Sequence, residues 1–201
     1  HVFRGTPTRL WLDHTFESLF GLEVRLNAGT ADLYYDRIAD CLSRDAYRPR
    51  ALYERFNIEA IATTEGALDP LQWHRQIRES GWKGRVVTTY RPDAVIDPEF
   101  EGFADNLRQL GALTDCDTGE WSGYLEAHRR RRAFFREAGA TATDHGHPTA
   151  DTANLSDAEA AALYTRVASG AASPDDAGLF RAQMLTEMAK MSVEDGMAMQ
   201  I

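Results

Sequence analysis

Cysteine is scarce and basic charge is in the minority. The 201 residues hold two cysteines, Cys41 and Cys116, in no CxxC pair. That excludes a disulfide-stapled scaffold, and two idle or buried thiols fit a reducing cytoplasm. Lys and Arg number 22 against 31 Asp and Glu, a net charge of −9. So acidic a balance excludes a nucleic-acid backbone as the main partner, because phosphate binding needs a positive surface. No apolar run approaches the length of a membrane span. No signal peptide is read at the start, and the chain begins at His1 rather than Met, which is expected of an artificial edge, a processed end or a missing segment. No internal repeat and no low-complexity linker is present.

What remains is an ordinary globular composition, 43% apolar and 26% charged, long enough for one domain with a real core. The first third reads as helices. Trp11, Phe16, Leu19 and Phe20 recur at roughly helical spacing. Thr30 is expected to cap a helix carrying Leu33, Tyr34, Ile38 and Leu42. Pro49 opens a third helix, and Asn57 is a left-handed stop.

The rhythm then changes. Residues 58–64 and 85–90 read as strands, 141–143 as a short third strand and 197–201 as a fourth. Helices are expected between them, starting at Asp69-Pro70, near Phe100, at about Glu120, at Ser156 with Glu159, and at Ser173 with Asp176. Such alternation is the pattern of a parallel α/β sheet.

Each strand runs into polar residues: Thr63, Thr64, Glu65 and Asp69; then Tyr90, Arg91 and Asp93; then Asp144, His145 and His147. In parallel sheets the carboxyl ends of the strands open onto one face, where sites are built. Arg91 precedes Pro92, which restricts it to extended backbone and helps aim its side chain. It could hold a carboxylate in a bidentate fork, or it could pair with Asp93 or Glu65 to close the rim. His145-Gly146-His147 places two imidazoles at the spacing of a metal-ligating pair, although Gly146 and Pro148 suggest that the strand has ended. Arg129 to Arg132 is expected to be a solvated helical run, His14, His74 and His128 to be packing or surface residues, and Met184, Met188 and Met191 to be core.

The ordered set of Thr63-Thr64-Glu65 through Asp69-Pro70, Tyr90-Arg91-Pro92-Asp93 and Thr143-Asp144-His145 resembles the uronate isomerases of the amidohydrolase superfamily. Thr30-Ala31-Asp32 and Phe20-Gly21-Leu22 resemble that family's helical segment between its first two strands. The first turn is longer than the family's usual one, Tyr90 stands where Trp is common, and Gly146-His147 replaces the usual residues after Asp-His.

The resemblance implies a partial (β/α)8 barrel of the TIM type, about strands two to five in residues 58–201, preceded by a helical insertion segment in residues 1–57. It implies an aldose–ketose isomerase that interconverts D-glucuronate with D-fructuronate and D-galacturonate with D-tagaturonate through an enediol. Arg91 would grip the substrate carboxylate, and Asp144 and His145 would line the site. A divalent metal, zinc by family habit, would assist. Its expected ligands on the first and eighth strands, and a functional His on the fifth, are not in this sequence; no metal ligand is assigned within it, and His145 and His147 stand only as candidates. The implied partner is a small hexuronate, with no nucleic acid and no membrane; homo-oligomerisation is left open. Two other readings stand beside it: a different metal-dependent enzyme of the same superfamily, hydrolase or decarboxylase, and a non-catalytic α/β interaction domain.

Overall fold

The computed structural model describes residues 3–201. They fold as two compact units that meet in the chain at Glu59 and Ala60.

The first unit is helical. α1 (Pro7–Phe20) starts under Thr6, whose hydroxyl accepts the Arg9 N–H, with Pro7 in the first turn, and it ends on a left-handed Gly21. Proline lacks the N–H that the first turn leaves unpaired, and glycine tolerates a positive φ. α2 (Ala31–Leu42) and α3 (Pro49–Arg55) follow. The core is small: Phe20, Leu22, Tyr34 and Cys41. Phe16 meets Tyr34 edge to face at 5.1 Å, and the Tyr47 hydroxyl donates to the Leu19 carbonyl.

Thr30 does not cap α2 as the sequence led us to expect. Its hydroxyl is committed to the preceding turn, accepting the Asn27 N–H and donating to the Arg25 carbonyl. Asn57 is left-handed, with φ 51°. The first strand starts later than the pattern suggests because Ile58 N–H still closes the turn of α3 onto the Tyr53 carbonyl.

The second unit carries a four-stranded sheet in the order β1-β2-β3-β4: Ile61–Gly66, Val86–Arg91, Ala142–Asp144 and Ala198–Gln200. Every neighbouring pair is parallel, as the alternation implied. α4 (Gln72–Glu79) connects β1 to β2; α5 (Asp93–Ile96), α6 (Phe103–Thr114) and α7 (Trp121–Glu137) connect β2 to β3; α8 (Asp157–Ala168) and α9 (Pro174–Asp195) lead to β4. The capping box of Ser156 with Glu159 forms as expected, and the helix start read at Ser173 is closed by a box with Asp176.

α4 begins at Gln72 rather than at Pro70. The Asp69 carboxylate accepts the Leu71 N–H at 2.6 Å, and Leu71 sits at φ 53°, a conformation from which the helix starts only at the next residue. The one-turn α5 has no periodicity to announce it.

The core lies between the sheet and the helices. Tyr124 stacks on Tyr164 at 4.6 Å, with Trp121 and Phe180 around them. Met184, Met188 and Met191 are buried, as their spacing suggests. Each such side chain removed from water stabilises the fold by roughly 1.5–3 kcal/mol.

The basic run on α7 is not a solvated face. Arg129 and Arg130 reach the surface, but Arg131 is 5% exposed and Arg132 1%. Consecutive helical residues point around the whole circumference, so two of the four must turn inward. Each finds partners there. Arg132 forks onto Asp195 at 2.6 and 3.0 Å and reaches the Ser192 hydroxyl. Arg131 donates to the carbonyls of Ala67 and Asp69 and lies over the Phe134 ring. No helix among the described residues is long and apolar enough to cross a membrane.

Candidate active site

Side chains alternate across a strand, so the register sorts the strand-end residues onto two faces. Glu65 pairs with Tyr90, Tyr90 with Thr143, and Thr143 with Met199. This row faces the helical layer. Tyr90 is fully buried, packs on Phe135 of α7 at 5.0 Å, and its hydroxyl meets His128 Nδ1 at 2.9 Å. One residue further along each strand come Gly66, Arg91, Asp144 and Gln200, a row on the opposite, open face at the carboxyl edge of the sheet.

Arg91 and Asp144 meet in that row. The guanidinium Nη2 lies 2.5 Å from Asp144 Oδ2, and its Nε lies 3.4 Å from Asp93 Oδ2. The guanidinium remains 44% exposed and Asp144 26%, so a solute can reach both. Of the two partners proposed for rim closure, Asp93 is there; Glu65 is on the other face. The Glu65 carboxylate accepts from the Thr88 hydroxyl and stands 3.7 Å from His74 Nε2, while His74 also meets the Thr63 hydroxyl. Thr63, Glu65 and Tyr90 therefore belong to the covered side, and only Thr64 of the first cluster is on a strand position facing the open side.

Asp144 and His145, read together from the sequence, are separated. The His145 ring is 4% exposed, and its Nε2 pairs with the Thr143 hydroxyl at 3.0 Å, beneath the rim. Burial first, then the positive charges of His147, Arg132 and Arg91, push its pKa down to about 4. His147 follows at 5.8 Å between ring centroids, tilted by 51°. Burial lowers its pKa, with Asp93 and Asp97 pulling the other way. His145 Nδ1 and His147 Nε2 are buried without a hydrogen-bond partner.

Two such nitrogens are not a metal site by themselves. Among the described residues no three His, Cys, Asp or Glu side chains gather closely enough to hold an ion. The residues present do not fit a complete metal centre, since a stable one takes three or four protein ligands.

One residue and one contact were not legible in the sequence. Asp93, read as a rim residue, also binds Gly146 N–H through both carboxylate oxygens, at 3.0 and 3.1 Å, and Arg181 of α9, which no sequence pattern singles out, reaches Asp97 and Glu99. Both contacts depend on loops meeting across 53 or more residues of chain, for which periodicity has no signal.

A sequence model of the family described as "Glucuronate isomerase" matches residues 1–201. The chain is 65% identical over its whole length to the uronate isomerases of Mesorhizobium japonicum and Rhizobium meliloti. It spans 43% of the length of each. The crystal structure of the glucuronate isomerase from Caulobacter crescentus superposes on the full chain with a TM-score of 0.95 at 56% identity, covering 42% of that protein. The uronate isomerase structure from Thermotoga maritima, 23% identical over 98% of this chain, shares the fold with a TM-score of 0.89. With the family model matching the whole chain and relatives at 65% identity along all of it, the chain belongs to the glucuronate isomerase family.

Proposed function

We propose that the protein to which these residues belong is a uronate isomerase that exchanges D-glucuronate with D-fructuronate and D-galacturonate with D-tagaturonate. The observation that carries this reading is the Arg91–Asp144 pair on the open face at the carboxyl edge of the sheet. A guanidinium there offers a planar fork to the substrate carboxylate. A carboxylate beside it can carry a proton between C2 and C1 while the C2 hydroxyl proton passes to the C1 oxygen, so aldose becomes ketose with no net loss or gain of atoms. His145 would support the rim from beneath.

In the same reading the four parallel strands are consecutive members of a (β/α)8 wall, residues 58–201, with residues 1–57 as a helical insertion. A divalent ion, zinc by expectation, would draw most of its ligands from outside this chain. Both cysteines are free thiols, in keeping with a reducing cytoplasm.

The test is direct. The complete protein is incubated with D-glucuronate, D-galacturonate or D-glucose in deuterated water, and products and their deuteration are followed by NMR. Ketose formation from the two uronates, with solvent deuterium at C1 of the ketose and at C2 of the re-formed aldose, and none from D-glucose, is expected. Release of a hydrolysis product or of carbon dioxide would favour a different superfamily chemistry, and no turnover at all would favour a binding role.

A further inference from the structure

Asp93 opens α5, two residues beyond Arg91, and its carboxylate serves two loops at once. Both oxygens accept the Gly146 N–H, and Oδ2 lies 3.4 Å from Arg91 Nε. The far end of the same guanidinium is on Asp144. The Arg91 side chain is thus suspended between two carboxylates, and the segment after β3 is tied to the segment after β2 through Asp93. Its carboxylate is 19% exposed, so water competes little for these bonds.

Gly146 shows how closely this contact is fitted. A Cβ built there would lie 2.6 Å from Asp93 Oδ2, well inside van der Waals distance. Gly146 is not among the glycines with positive φ. The backbone would accept alanine; the neighbouring carboxylate would not.

We propose that Asp93 is a positioning residue for the reaction. It turns Nε of Arg91 toward the loop, leaving the Nη end directed at Asp144 and the open face, and it fixes the 144–147 segment against the same point. The proposal rests on Arg91 as the carboxylate anchor. Its consequence is a coupling: the three nearest atoms that a Cβ at Gly146 would meet all belong to the Asp93 carboxyl group, so the demand for glycine there follows from Asp93. Small displacements of an orienting group are costly in catalysis, on the order of a hundredfold for about 1 Å, so the coupling should be visible in kinetics.

The experiment uses the complete enzyme with D-glucuronate. Asp93→Ala and Gly146→Ala should each lower kcat/KM about tenfold, chiefly by raising KM, because the anchor is disturbed more than the proton transfer. The double variant should be no worse than Asp93→Ala alone, since the added methyl then has room. Asp93→Asn keeps an acceptor for Gly146 but loses the charge facing Arg91, and should raise KM by about threefold. A double variant whose loss is the product of the two single losses would overturn the coupling. A loss confined to kcat, or Asp93→Ala within about twofold of the parent, would overturn the positioning role. If Asp93→Ala fails to fold, Asp93→Asn decides: an unchanged KM sinks the proposal. Arg91→Lys is measured alongside. If it has no effect, the reading of the site fails; if it has its full effect while the Asp93 variants have none, only this inference fails.

Discussion

Arg91 and Asp144 end neighbouring parallel strands and meet across the open face, Nη2 to Oδ2, at 2.5 Å. Neither side chain is needed to bury apolar surface there, and both stay partly accessible. A charge-assisted fork to a carboxylate is worth on the order of 2–3 kcal/mol when shielded from water. Lysine keeps the charge and loses the planar fork. Arg91→Lys in the complete enzyme should therefore lower kcat/KM for uronates by roughly one to two orders of magnitude. Whatever slow turnover of neutral aldoses exists should barely change. Arg108→Lys is the control: Arg108 is 73% exposed and pairs with its helical neighbour Asp105. An Arg91→Lys enzyme within about twofold of the parent would remove the anchor role.

Arg132 and Asp195 form a buried pair, with the guanidinium 1% exposed and the carboxylate 15%. Removing one partner from such a pair costs about 3–5 kcal/mol, because the other charge is left without compensation. Asp195→Ala should be the more damaging change, since it strands the deeper group. Arg132→Met combined with Asp195→Ala should recover part of the loss. Urea unfolding of the three variants checks the order, and equal losses for Asp195→Ala and the double variant would contradict it.

His128 sets an acid limit. The ring is fully buried, with Arg132 and Arg129 adding positive charge nearby, and its pKa is pushed down to about 3 from an ordinary 6.5. Folded His128 thus stays neutral while the unfolded chain takes up the proton. The unfolded state binds more protons below pH 6.5, so stability falls as pH drops from about 6.5 toward 3, by at most about 5 kcal/mol from this residue. His128→Asn, which can still bond the Tyr90 hydroxyl, should unfold more readily at pH 7 yet lose less stability between pH 7 and pH 4. Parallel slopes for parent and variant would show that His128 is not responsible.

The sequence carried the α/β alternation, the capping box at Ser156, the helix start at Ser173, the left-handed stop at Asn57 and the methionine stripe, because each is a local pattern with a local cause. It placed Arg91 and Asp144 at strand ends for the same reason. It could not say which of Asp144 and His145, or of Thr64 and Glu65, takes the open face, since that depends on which side of the sheet the helices cover. Arg131 and Arg132 were misread for a related reason. A charged residue reads as solvated until its partner is known, and Asp195 lies 63 residues away. Leu71 at φ 53° was likewise invisible, because nothing in its residue type announces a left-handed backbone.

That Leu71 turn leads to the last prediction. The loop between β1 and α4 returns its backbone to α7, where Arg131 Nε donates to the Ala67 carbonyl at 2.7 Å and Nη2 to the Asp69 carbonyl at 2.8 Å. Within the same loop Asp69 holds the Leu71 N–H, and Ala67 and Leu71 are buried. One guanidinium thus satisfies two backbone carbonyls, and it lies over the Phe134 ring at 4.4 Å. Arg131→Met would lose the contact of the guanidinium with Phe134 and abandon both carbonyls, the latter at about 1–3 kcal/mol each before relaxation. Arg131→Lys can reach one carbonyl with a point charge, and should lose about half as much. The effect should be local first: faster amide exchange at residues 67–71, with the protection of α9 largely kept, followed by a lower unfolding midpoint. Uniformly faster exchange across both regions in Arg131→Met would mean that this arginine supports the whole unit rather than clamping the loop behind Gly66.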